Sequence, residues 1–314
     1  MAAWPGALWY FPEPSIWAIA LAMLGALWLL MPRGVPARVL GLFLFLPLLW
    51  PAATPLADGE FMAYMLDVGQ GEAFVVRTRN HAVIYDAGAK FPSGFDVGEA
   101  TVVPALHALG IEHVDRMVIS HGDNDHSGGA AAVAAAWPVI AVESGEPDRL
   151  TFPATQCLAG ESWTWNGVKF RVVHPREPLS SVDNDRCCVL AVRSGGSELV
   201  LPGDITRAVE PEVTAALAPA PPHLILQVPH HGSKTSSSVD FIADLHPELG
   251  LITAGYMNRF HHPSKDVVAR YAAAGVDLLN SAQAGFVAIR FAPNAGPQVI
   301  EQGRRDRHPY WCEN

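Results

Sequence analysis

A chain of 314 residues that is 50% hydrophobic, only 17% charged and formally −10 is not a disordered, collagenous or coiled-coil protein. Its length suits one large domain or two medium ones. The acidic balance argues against a basic nucleic-acid-binding face, yet clustered carboxylates are what divalent cations need, and a bound cation can draw phosphate to an acidic protein.

Taken in chain order, the surplus apolarity comes first. Before residue 58 the only charges are Glu13, Arg33 and Arg38. Ser15 to Met31 has neither charge nor proline and follows the aromatic stretch Trp4 to Phe11, which predicts a transmembrane helix with an interfacial aromatic belt. Val39 to Trp50 is shorter, carries Pro47 and predicts a second, tilted span. Arg33 and Arg38 would hold the loop between the spans in the cytoplasm, so both ends of the hairpin would face outward. A rival reading starts a signal peptide at Met31 with cleavage near Pro51-Ala-Ala-Thr, and a third buries the hairpin in a soluble protein. The first two export the rest of the chain. Residues 1–57 are thus expected to be membrane segments, 58–300 a globular domain and 301–314 a tail.

From residue 61, short β-branched or aromatic runs alternate with helical stretches. Strands are predicted at Phe61 to Val68, Ala73 to Arg77, Ala82 to Tyr85, Met117 to Ser120, Val168 to Val173, Val189 to Val192, Leu199 to Leu201, Leu224 to Val228, Leu251 to Thr253 and Phe286 to Phe291. Helices fit Ala100 to Leu109, Ala130 to Ala136, Ala208 to Leu217, Val239 to Leu245 and Asp266 to Ala274. This alternation implies a layered α/β fold with its chemistry on loops at strand ends. The four cysteines, Cys157, Cys187, Cys188 and Cys312, fall in no metal-knuckle spacing and leave the redox compartment undecided.

The densest chemical signal follows the strand ending at Ser120: His121-Gly-Asp123-Asn-Asp125-His126-Ser-Gly-Gly. Two imidazoles and two carboxylates within six residues, ending at glycines, suit one or two divalent cations; the carboxylate excess tilts the choice slightly toward manganese over zinc. A helix-capping turn would account for Asp125 or Ser127 but not for both histidines.

The pattern His121-x-Asp123-x-Asp125-His126 resembles the HxHxDH motif of the metallo-β-lactamase superfamily with its second histidine replaced by Asp123. In that respect it is similar to the C-terminal domain of the ComEC family of DNA-uptake competence proteins. Met65-Leu-Asp-Val-Gly-Gln-Gly-Glu72, Ile84-Tyr-Asp-Ala-Gly88, Leu201-Pro-Gly-Asp-Ile205, Val228-Pro-His-His-Gly-Ser-Lys-Thr-Ser236 and Asn258-Arg-Phe-His-His-Pro263 carry the same resemblance in the same order. Members of that family carry more membrane helices, so the chain looks like the C-terminal piece of one or a short relative.

The resemblance implies an αββα sandwich holding two divalent ions, Mn²⁺ or Zn²⁺, on His121, Asp123, Asp125, His126, Asp204 and His231, with Asp204 bridging them. No clean third histidine exists for the first ion; Asn184, Cys187 or a water could stand there, which implies one tight and one exchangeable ion. Asp67 and Asp86 are assigned to supporting metal-bound histidines. Asp125, His230, His261 and His262 are the catalytic candidates: His230 meets substrate, while His261 and His262 stabilise charge or protonate the leaving oxygen. Ser233, Lys234, Thr235, Asn258 and Arg259 suit a phosphate, although the serine-threonine run could simply cap the next helix. The implied activity is metal-dependent phosphodiester hydrolysis of the non-imported DNA strand at the outer face of the bacterial inner membrane, with DNA, the membrane and the rest of an uptake channel as partners. Phosphorylcholine-ester or lactam hydrolysis and a non-catalytic DNA-binding accessory role are the alternatives; Asp123 and the missing histidine disfavour the lactamase.

Overall fold

A computed structural model describes residues 14–32, 34–49 and 55–307, which fall into two compact units. The first contains the N-terminal apolar segments. Its helix Ile16–Leu29 starts on the Ser15 side chain, which accepts from the Ala18 amide. At 14 residues it rises about 21 Å, short of a hydrocarbon core of about 30 Å. The second run is a 3-10 helix, Arg38–Phe45, continued by a single α-helical turn, Leu46–Leu49. The two expected transmembrane spans are therefore corrected: among the described residues no helix is long and apolar enough to cross a membrane. The physical reasons are local. The helix is broken after Leu30 by a turn-rich Pro/Gly segment, and Pro47 removes a backbone donor from the second run. The two runs pack through Gly25 and Gly41, where a Cβ on Gly25 would meet the Gly41 carbonyl at 2.6 Å. Arg33, the Trp4 to Phe11 belt and the Pro51-Ala-Ala-Thr segment lie outside the described residues.

The second unit is a sandwich of two sheets. The first sheet has the order β15-β14-β1-β2-β3-β4-β5-β6. Its strands are β1 Phe61–Met65, β2 Phe74–Arg77, β3 Ala82–Tyr85, β4 Val114–Ile119, β5 Val139–Ser144, β6 Thr155–Gln156, β14 Val287–Ala292 and β15 Ala295–Gln302. The second sheet, ordered β13-β12-β11-β10-β9-β8-β7, is built of β7 Ser162–Trp165, β8 Val168–His174, β9 Val189–Ser194, β10 Ser197–Leu201, β11 His223–Gln227, β12 Leu249–Ile252 and β13 Asp277–Asn280. Between them Phe61, Phe74, Tyr85, Phe170, Leu190, Leu199, Ile225 and Phe291 form one buried core. A second core lies under helices 210–217, 239–245 and 265–273, with Val213, Phe241, Ile242, Val267 and Tyr271 against Leu224, Leu226 and Val228. Parallel pairing of β10, β11, β12 and β13 brings the loops after Leu201, Gln227 and Ile252 to one edge of the sandwich.

Every strand absent from the sequence reading is at or next to a sheet edge: β6 and β15 end the first sheet, β7 and β13 the second, and β5 lies beside β6. Edge strands bury little, so they are short or weakly apolar; β7 offers only Trp163 and Trp165, and β15 even carries Pro297, which an edge tolerates. The expected tail from residue 301 is not separate at its start, because β15 runs to Gln302 and a helical turn, Gly303–Arg307, follows. The final seven residues, 308–314, with Cys312, lie outside the described residues. A disulfide, Cys157–Cys188, joins the segment after β6 to the start of β9 and so crosses between the sheets.

Candidate metal centre

Four loops at that edge converge. β4 ends at Ile119 and delivers Ser120 and His121; the turn Asn124–Ser127 delivers Asp125 and His126; the loop after β10 delivers Asp204; and the loop after β11 delivers His230 and His231. Two glycines make the approach possible. Gly203 has φ +60, and a Cβ there would lie 2.8 Å from the Ser120 Cβ. Gly71 has φ +139, and its Cβ would meet the Asp125 carbonyl at 2.5 Å. The Gly69-Gln-Gly71 turn therefore serves close packing beneath Asp125, where the Glu72 amide also donates to the Asp125 carbonyl. His230 and His231 both adopt left-handed backbone, φ 54 and 53, a costly geometry for consecutive non-glycine residues.

Each buried histidine is tied at Nδ1. His126 Nδ1 lies 2.7 Å from Asp86 Oδ2. His121 Nδ1 lies 3.0 Å from Ser120 Oγ, which donates to the same Asp86 oxygen at 2.7 Å. His231 Nδ1 lies 3.0 Å from Thr253 Oγ1, which donates to Glu72 Oε2 at 3.4 Å. All three rings are thus anchored through carboxylates, directly or by one hydroxyl, an arrangement that leaves the Nε2 lone pairs for the site.

Those lone pairs face groups that cannot satisfy them. His126 Nε2 and His231 Nε2 are 3.2 Å apart. His126 Nε2 is 3.3 Å from Asp204 Oδ1, while His231 Nε2 is 3.4 Å from Asp125 Oδ2 and 3.6 Å from Asp204 Oδ2. His121 Nε2, Asp204 Oδ1 and Glu72 Oε1 are buried without a hydrogen-bond partner among the described residues. Two imidazole acceptors and two carboxylates converging this closely need a cation or a proton between them. Ligand atoms within 4.8 Å of one another occur in His121/His126/Asp204 and in Asp125/His126/His231. Nitrogen and oxygen donors in this proportion fit zinc, manganese or iron.

The charge distribution follows from this packing. Burial would raise the Asp204 and Asp125 carboxyls, but His126 and His231 hold both below the usual range. Burial would lower His126, yet Asp204 and Asp86 push it well up. Glu72 goes the other way, raised well above the ordinary value by its burial and by Asp86.

The other candidates are distributed around this cluster. Asp123 sits at the rim, 43% exposed, with Oδ2 3.4 Å from His121 Nε2 and Oδ1 accepting from Arg149 at 2.8 Å. The His121 contact, then Arg149, holds its carboxyl at about 2. His230 Nε2 is 3.5 Å from Asp204 Oδ2, and its Nδ1 lies 3.1 Å from Thr235 Oγ1 and 3.4 Å from Asn184 Nδ2. His262 stands farther out, its ring 5.9 Å from His230 and 6.5 Å from His231, and burial with those neighbours lowers it to about 4. Cys187 is a buried free thiol, pushed up by burial and by Asp204.

Several expected residues do not reach the cluster. Asp67 pairs with Arg304, Lys234 with Asp266, and His261 points to solvent. Asn258 staples its own loop, donating to the Gly255 and His262 carbonyls and accepting from the His262 amide. Ser233 accepts from Thr235, and capping of helix 239–245 falls to Ser238 instead. The sequence reading missed Ser120, Thr253 and Arg149, and attached no role to Glu72. Only Glu72, an acid inside an otherwise apolar strand start, carried a local signal.

Comparison with known proteins agrees with this geometry. Residues 66–252 match the metallo-beta-lactamase superfamily. The chain belongs to that superfamily. As a metallo-β-lactamase-fold protein it is similar to Competence protein ComA of Neisseria gonorrhoeae, 32% identical over 93% of this chain and 41% of that protein. It is also similar to Recombination protein 2 of Haemophilus influenzae, 31% identical over 79% of this chain and 31% of that protein. The chain therefore spans well under half the length of these relatives. CmlA, a diiron β-hydroxylase from Streptomyces venezuelae, shares the fold, with a TM-score of 0.50 and 13% identity over 76% of this chain and 55% of that one. The superfamily's reliance on divalent metal is consistent with the donor set formed here.

Proposed function

We propose that this chain is the hydrolytic domain of a DNA-uptake protein, a metal-dependent phosphodiesterase that degrades the DNA strand left outside. The observation that carries the reading is the convergence of His121, Asp125, His126, Asp204 and His231, with buried donors lacking protein partners, in a relative of competence and recombination proteins. Divalent ions, when bound, would polarise the phosphodiester and supply an activated water. The chain's own residues do the rest. Asp204 lies between the two histidine groups and is placed to be shared. His230, its Nδ1 engaged by Thr235, directs Nε2 toward Asp204 and the reacting phosphate. His262, the next ring outward, is held neutral by burial and by its histidine neighbours, and its role is to hydrogen-bond the departing oxygen rather than to protonate it.

The location proposed is the outer face of the bacterial inner membrane. Trp17, Met23, Leu27, Leu42 and Phe43 of the N-terminal unit are exposed, a surface that needs lipid or apolar protein around it. The Cys157–Cys188 disulfide suits an oxidising compartment.

The test is cleavage of single- and double-stranded DNA by the full chain loaded with manganese or zinc. Phosphodiester cleavage that disappears on chelation is the expected outcome. Hydrolysis of a lactam or a phosphorylcholine ester, with DNA untouched under every metal, would overturn the reading.

A further inference from the structure

The loop 255–262 beside the centre presents apolar side chains to solvent on a rigid base. Tyr256 is 77% exposed, Met257 84% and Phe260 48%. An exposed apolar trio is usually mobile, but this loop is held from within and from below. Asn258 closes it through three hydrogen bonds, and the Gly255 amide donates to Gln70 Oε1 at 3.2 Å. A Cβ on Gly255 would meet the Gln70 amide nitrogen at 2.7 Å, so the loop is seated against the Gly69-Gln-Gly71 turn.

The loop is also continuous with the metal centre. The His231 and His262 rings are near-parallel at 24° and 6.5 Å, and the His262 and Phe260 rings at 23° and 5.7 Å. This places a column of planar rings from a metal-facing imidazole to the surface. At its outer end the Arg259 guanidinium lies 4.6 Å from the Phe260 ring centroid. Lys234, on the loop after His231, is neutralised by Asp266 at 2.9 Å, and Arg149 at the rim is taken up by Asp123, Glu146 and Asp183. Planar faces together with a cation are the chemistry that holds an unpaired nucleotide: a base stacks on the ring while the charge takes the phosphate.

Resting on the phosphodiesterase reading, we infer that loop 255–262 is a stacking platform that takes an unpaired nucleobase next to the scissile phosphate. Tyr256 supplies the free planar face, Phe260 backs it as the ring that carries the Arg259 guanidinium, and Arg259 makes the phosphate contact. A base inside a duplex offers no free face, so the platform selects single strands over duplex.

The experiment measures equilibrium binding of the full chain to three dye-labelled probes at one salt concentration: oligodeoxythymidylate, an abasic strand of equal length and charge, and a duplex. One stacked base corresponds to roughly 5- to 150-fold tighter binding, so the base-bearing strand should lead the abasic strand by at least the lower factor. Tyr256→Ala combined with Phe260→Ala should erase the lead while metal content and melting temperature stay at parental values; Tyr256→Phe should keep it. Equal binding of base-bearing and abasic strands by the parent, or a double variant that keeps the lead, overturns the platform. The two readings fail separately. A chain that prefers base-bearing strands yet cleaves no phosphodiester sinks the proposed function, whereas one that cleaves DNA without distinguishing the probes sinks the platform alone.

Discussion

On one side of Asp204, His126 and His231 face each other at 3.2 Å with Asp125 beside them, and both rings are anchored at Nδ1 by buried groups. On the other side, His121 has a comparable anchor through Ser120, but the carboxylate it meets besides Asp204 is Asp123, 43% exposed and shared with Arg149. Arg149 is itself spread over Asp123, Glu146 and Asp183. The first half gathers Asp125, His126 and His231; the second sets the buried His121 against an acidic neighbour that is exposed and held by a cation. Preorganisation therefore differs between the groups on the two sides of Asp204. Unequal metal affinity is the expected consequence.

The variant expected to do most damage removes the aspartate between the halves. Asp204→Ala should strip metal from both and lower DNA cleavage by roughly three orders of magnitude, the scale lost when a group acting at the reacting centre is deleted. Mass spectrometry and circular dichroism check it together; a folded variant with parental metal content and cleavage would show that Asp204 is not shared.

Damage confined to the first half is expected from Thr253→Val, which cuts the link between His231 and Glu72. Chelator competition should show zinc held about 10- to 100-fold less tightly, the usual effect of losing such a partner, with Thr253→Ser restoring parental affinity and Glu72→Gln shifting in the same direction as Thr253→Val. If Thr253→Val binds zinc like the parent, the hydroxyl does not orient His231.

A smaller effect is expected in the second half. Calorimetric titration of the parent should resolve two metal classes about tenfold or more apart, and cleavage should be higher with manganese than zinc, because a carboxylate is a harder ligand than imidazole. Asp123→His should narrow the gap and move the preference toward zinc. A parent already most active with zinc, or a variant whose preference stays put, removes Asp123 from control of the metal. Least affected should be the double variant Cys157→Ser with Cys188→Ser: a urea melt should show about 3 kcal/mol less stability, with both metal classes retained.

Much of this was legible in the sequence, because some physical requirements are local. Consecutive residues after a buried strand had to present His121, Asp125 and His126 together, and glycine had to precede Asp204 where backbones meet. Central strands, buried on both faces, declare themselves by unbroken apolar runs such as Leu199 to Leu201. The apolar N-terminal runs were equally visible, but their helix length was not, since the turn after Leu30 and the packing of Gly25 on Gly41 depend on backbone geometry. Edge strands β6 and β15 left no apolar pattern because an edge buries so little, and β7 and β13 have only two apolar residues each, Trp163 and Trp165 and Leu278 and Leu279. Only the assembled fold could bring Glu72 to Thr253 across 181 positions, set Arg149 on Asp123, join Cys157 to Cys188, or seat Gly255 on Gln70. Such partners are chosen by which loops the two sheets place at one edge, and no short stretch of sequence carries that information.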